Sequence, residues 1–111
     1  MTDLYPEIPM REFIICAAIH FDDEVERPHQ PKNIERGIVI AGRRHHNCFL
    51  TAFTLSGQNM WNRVKHTQGF LTSRDRFVDR KEGYEIAKRE KQLFSGIIHD
   101  DNPRLISEEL Y

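Results

Sequence analysis

Apolar residues fall along this chain in short blocks, and their spacing predicts the elements. Glu12 to Phe21 (EFIICAAIHF) is almost continuously apolar, with an unbroken run from Phe13 to Ile19. That suits a strand buried on both faces, although periodicity alone also allows a short buried helix. Asp22 to Arg36 is charged and holds Pro28 and Pro31, so it reads as a loop. Gly37 to Ala41 (GIVIA) is a second short strand. From Arg43 to Ser56 the positions Cys48, Phe49, Ala52 and Phe53 recur at helical spacing, with Gly57 as a stop. The threonines and phenylalanines there would also tolerate a strand; helix is the reading taken. Gln58 to Gln68 reads as a polar connector around Trp61. Gly69 to Ser73, a turn at Arg74-Asp75, and Arg76 to Val78 predict a tight hairpin. Asp79 then opens the clearest helix, with Glu82 at capping-box spacing. Ile86, Ala87, Leu93 and Phe94 form its apolar stripe, Glu85 and Arg89 an i,i+4 pair, and Gly96 follows its end. Residues 1–11, with Pro6 and Pro9, read as a loose arm, and the closing Leu110-Tyr111 as a docked tail. The order strand, strand, helix, strand, strand, helix predicts an α+β domain: a small antiparallel or mixed sheet with two main helices.

Length narrows this further. With 111 residues the chain is one domain and too short for an α/β barrel. Its 39% hydrophobic and 30% charged residues argue against global disorder. The longest apolar run falls far short of the roughly 20 residues of a membrane helix, and the start is acidic rather than basic. The expectation is a cytosolic protein without a targeting segment or membrane partner. Cys16 and Cys48 sit in apolar stretches and read as reduced core thiols.

Charge changes the picture, because the net −1 hides a segregation. Residues 1–26 carry −6, residues 27–91 carry +8 and residues 92–111 carry −3. A basic middle in a near-neutral chain is poor for long nucleic acid but can build a local anion site. The bland alternative is a solvated surface with the termini folded across it.

Within that middle, Gly42 to Cys48 (GRRHHNC) places four basic or titratable side chains in the first turn of the expected helix. Cations oppose the dipole at that end unless an anion binds there. Arg43, Arg44, His45 and His46 are therefore candidates for phosphate. His45 and Cys48 are one turn apart, but no CxxC, HExxH or carboxylate triad accompanies them, so no metal is expected. On the hairpin, Phe70 and Thr72 share a strand face, with Arg76 and Arg80 close in sequence. An aromatic for a base and arginine for phosphate is one way to hold a nucleotide; ordinary core and surface is the other reading. No Walker loop, GxGxxG or GxSxG occurs, and no acidic pair stands out as general acid and base.

The ordered motifs EFIICAAIHFDD, HQPKNIERGIVIAGRRHHNCF, QGFLTSRDRFVDRKEGYEIAKREKQL and ISEELY together resemble the first Thoeris anti-defence family of bacteriophage proteins. The resemblance spans about residues 12–94 and the closing six. It implies a sponge rather than an enzyme, without cofactors. Such proteins bind cyclic ADP-ribose isomers made by TIR-domain immune proteins, chiefly glycocyclic ADP-ribose, and do not cleave them. Some members also bind cyclic oligonucleotides at a separate site. The resemblance implies an α+β fold, pockets between the protomers of a dimer, further assembly into hexamers, and action in the cytoplasm of the infected host. Within the matching motifs, Arg43, Arg44, His45 and His46 become phosphate candidates, Phe70 a base platform, and Thr72, Arg76 and Arg80 contacts to phosphate or ribose. Gln30 and Asn33 are weaker ribose candidates. The rival reading is a small phosphoesterase that uses the histidines to destroy such signals.

Overall fold

The long apolar block becomes the central strand β1, Ile14–Asp22, in a computed structural model that describes residues 11–56, 64–93 and 104–110. Strand β2 (Ile38–Gly42) pairs antiparallel with one side of β1 and β3 (Lys65–Thr72) with the other. Strand β4 (Phe77–Asp79) closes the hairpin on β3, giving the order β2-β1-β3-β4. A strand flanked on both edges and covered on both faces needs apolar residues at consecutive positions. Ala17, Ala18, Ile19 and Phe21 accordingly have no exposed surface. An irregularity between Ile14 and Cys16 keeps Ile14 in the core while Ile15 faces water.

Register sets the two faces. Ala17, Phe70 and Val78 lie side by side, as do Ile19 and Ile40. They meet Cys48 and Ala52 of helix α1 (His45–Ser56) and Tyr84, Ile86 and Ala87 of helix α2 (Arg80–Arg89) in one core. Both helices therefore cover the same face. Gly83 lets α2 approach closely, since a Cβ there would lie 3.0 Å from the Phe70 ring. On the other face the Phe77 ring lies over Gly69, where a Cβ would sit 2.8 Å from it. The β1–β2 loop is tied to this layer at both sheet edges. Gln30 Oε1 accepts from Val39 N at 2.9 Å, and Asn33 donates to Phe77 O and accepts from Phe77 N. His20 Nε2 lies 2.8 Å from Arg36 O.

The α+β expectation and the element order hold, with corrections of detail. Lys65 to Gln68 belong to β3 rather than to a polar connector, because they pair with Asp22 to Ile19 of β1. Helix α2 ends at Arg89, and Lys91 turns through a positive φ of 58°. Leu93 packs on the core beyond the helix, so the buried face is Gly83, Tyr84, Ile86 and Ala87. Asp79 caps Glu82 N at 2.8 Å, but the Glu82 carboxylate bonds Arg76 instead of reaching back, and Arg89 pairs with Glu90 rather than Glu85. The stops at Gly57 and Gly96, the connector around Trp61, the arm 1–10, Phe94 and Tyr111 lie outside the described residues. Leu105 is fully buried and Leu110 packs on the core, so the described tail is docked.

Candidate functional site

An open groove of about 660 Å³ lies over the first half of β3, between the start of α2 and the tail. His66, Thr67 and Gln68 come from β3, Asp79, Arg80 and Lys81 from the β4–α2 junction, and Arg104 and Ile106 from the tail. Its volume is in the range of small-ligand pockets, about 300–1,000 Å³.

Arg80 is its organising residue. As the first residue of α2 it is fixed by the Asp79 cap, and its carbonyl accepts from Leu105 N at 2.8 Å. The half-buried guanidinium donates to Leu105 O at 3.1 Å and to Gln68 Oε1 at 2.6 Å. Its Nη2 also lies 3.4 Å from His45 Nδ1. All three acceptors are uncharged. Among the described residues, no carboxylate forms an ion pair with Arg80. Burial and the neighbouring Arg104 lower its pKa, while Glu108 acts weakly the other way. An arriving anion would relieve that penalty.

His45 completes the support. It is buried beneath the groove, edge-on to the Phe70 ring at 5.1 Å between centroids. Its Nε2 lies 2.8 Å from Gly69 O, and a carbonyl can only accept, so Nε2 carries the hydrogen. Nδ1 is then the acceptor for Arg80. Burial holds the imidazole below its usual pKa, and the Arg80 charge adds to this, so it is neutral at neutral pH. The aromatic wall is His66, whose ring lies 5.8 Å from Phe21 and 5.5 Å, edge-on, from Phe49.

The structure separates the residues singled out from the sequence. Arg80 lines the groove and His45 supports it from below. Phe70 is wholly buried, so among the described residues the aromatic surface facing the groove is His66 rather than Phe70. Thr72 donates to Glu12 Oε2 at 2.7 Å, and Arg76 grips Glu12 at 2.7 and 2.9 Å and Glu82 at 2.8 Å. That pairing holds the Glu12 carboxyl down at about 2 and raises Arg76. Gln30 and Asn33 are engaged at the sheet edges. Arg43 and Arg44 precede α1, where Arg44 N donates to Asn47 Oδ1, and His46 is exposed in its first turn. None of these three lines the groove. Sequence reasoning missed His66, Gln68, Lys81 and Arg104. Extending the Gly69 strand backwards would have put His66 and Gln68 on the face of Phe70.

Cys48 is buried, Cys16 half-buried, and both are free thiols. Among the described residues, no group of three His, Cys, Asp or Glu could hold a metal ion, and no helix is long and apolar enough to cross a membrane. A family model described as the phage T4 y16D protein matches residues 13–111. No curated protein and no solved structure matches the chain.

Proposed function

The chain belongs to the phage T4 y16D protein family, and from that premise we propose that it is an anti-defence sponge for cyclic ADP-ribose isomers, glycocyclic ADP-ribose above all. The observation that carries this reading is Arg80, a half-buried cation held only by neutral acceptors among the described residues, in a groove shared with Lys81 and Arg104. A cyclic ADP-ribose offers a diphosphate for the cations, a base for the His66 ring, and ribose hydroxyls for groups such as Thr67 and Gln68. The choice of a cyclic ADP-ribose as ligand rests on the ordered motifs that resemble the Thoeris anti-defence family.

Holding is better supported than cleaving. Both nitrogens of His45 are engaged, one by Gly69 O and one by Arg80. One oxygen of the Asp79 carboxylate is taken by the α2 cap. A general base must reach a substrate proton, and the buried, doubly engaged His45 is not placed to do so. The groove is open, so a second protomer would complete the enclosure, and the exposed Leu50 and Leu55 of α1 offer apolar surface for assembly. Cyclic oligonucleotides at a second site belong to the same proposal, as does action in the host cytoplasm.

Isothermal titration against a panel of cyclic ADP-ribose isomers and cyclic oligonucleotides, with the ligand recovered by heating and chromatographed, tests it. The expected result is saturable binding and intact ligand. A cleaved product would replace the sponge with the phosphoesterase, and no binding to any isomer would remove the proposal.

A further inference from the structure

Gln68 lies beside the half-buried cation of the groove. Its Oε1 lies 2.6 Å from Arg80 Nη2, as close as Glu12 Oε2 lies to Arg76 Nε at 2.7 Å. The two contacts have similar lengths and opposite electrical consequences. Glu12 and Glu82 surround Arg76 with two carboxylates, so that guanidinium is neutralised inside the protein. An amide oxygen orients Arg80 and leaves its full positive charge in place. The other acceptors repeat the pattern: the Leu105 carbonyl is uncharged, and so is His45 in the tautomer its Gly69 contact requires.

Resting on the sponge reading, we infer that Gln68 is the specificity-determining residue of this groove. It meets Arg80 with a neutral oxygen where a carboxylate would neutralise the guanidinium, and thereby leaves the charge of the groove available to a diphosphate group. Lys81 and Arg104 line the same space, so among the described lining residues three cations stand against one acid, Asp79. Glu108 lies close enough to act on Arg80 and His45 through charge, yet makes no ion pair with Arg80 within the described residues. A carboxylate at residue 68 would supply the internal partner that the fold withholds, and a diphosphate would then have to compete with it.

The test compares Gln68→Glu with Gln68→Met by calorimetric titration of inorganic pyrophosphate, alongside thermal melting of each variant. Gln68→Glu is expected to lose at least tenfold in pyrophosphate affinity while its melting temperature stays level or rises. Gln68→Met, which removes the same amide without adding charge, is expected to stay within about threefold. A purely structural role would lower melting temperature and affinity together in both variants, and that result overturns the inference. So does a Gln68→Glu protein that binds pyrophosphate as the parent does, or a parent that does not bind it. Should Gln68→Glu fail to fold, Gln68→Met decides alone: a tenfold loss in a folded protein refutes the charge argument, and retention upholds it. The sponge reading fails separately. A parent that binds pyrophosphate with this Gln68 dependence but ignores every cyclic ADP-ribose keeps the anion site and loses the proposed ligand.

Discussion

Arg76 and Arg80 stand four residues apart at the two ends of β4, and the fold treats them differently. Arg76 reaches across 64 residues of sequence to Glu12 and locally to Glu82, and the three side chains close one end of the hairpin. Glu12 is itself buried and also accepts from Thr72. At the other end, Arg80 is held by an amide, a carbonyl and a neutral imidazole, and it faces a groove with two further cations. Both arginines are held by several hydrogen bonds. What separates the clamp from the proposed binding group is the charge of the acceptors, and acceptor charge depends on residues distant in sequence.

The clamp should dominate the acid response. Glu12 has a folded pKa of about 2 against an ordinary 4.5, so it binds its proton more readily when unfolded. Its contribution is fully present above pH 4.5 and is lost as pH falls towards 2, about 3 kcal/mol in all. Asp23, held at about 2 by Arg27, adds a smaller loss in the same window because that pair is more exposed. Urea unfolding across pH 7 to 2 should show a plateau and then a decline, and Glu12→Gln should flatten the decline. An unchanged slope in that variant would detach the clamp from acid stability.

Removing the carboxylate at neutral pH comes next in size. Glu12→Ala leaves Arg76 with Glu82 alone, so about 2–3 kcal/mol of stability should go, somewhat below a fully buried pair. For a domain of this size that is a fall of about 10–20 °C in melting temperature. Pyrophosphate affinity should not move. A parallel loss of binding would mean the two ends of β4 act as one site.

Much of the fold was legible because its signals are local. A doubly buried strand shows as a continuous apolar run, and β1 follows from Phe13 to Ile19 with little else. The Asp79 cap is a three-residue relation, and it is present at 2.8 Å. The errors are non-local. Lys65 to Gln68 look like a connector because their strand character comes from pairing with Asp22 to Ile19, more than 40 residues away. The end of α2 is set by a left-handed Lys91, which carries no glycine signal. The groove was legible only at Arg80. Its other walls come from three separate segments, and nothing in Gln68 or Arg104 alone marks them as neighbours. Phe70 and Arg76 drew attention by residue type, and their surroundings put one in the core and the other in the clamp.

Smaller effects sharpen the contrast. Asp79→Ala removes the cap that fixes the start of α2 and should cost about 1 kcal/mol in thermal or chemical unfolding. Because Arg80 is the first residue of that helix, pyrophosphate affinity should also weaken by a few fold; intact affinity would show that Gln68 and Leu105 hold Arg80 unaided. Smallest is Lys81→Ala. This exposed cation should contribute less than about 1 kcal/mol, visible as a two- to fivefold affinity loss at low salt that fades at high salt.

The most direct measurement pairs Arg80→Gln with Arg76→Gln and titrates each folded variant with glycocyclic ADP-ribose while recording its melting temperature. Arg80→Gln should lose about 1.5–3 kcal/mol of binding, roughly ten- to a hundredfold, with the smaller change in melting temperature. Arg76→Gln should melt well below the parent and bind as the parent does. The reverse pattern, with binding lost at Arg76 and stability lost at Arg80, would contradict the assignment of the groove as the ligand site.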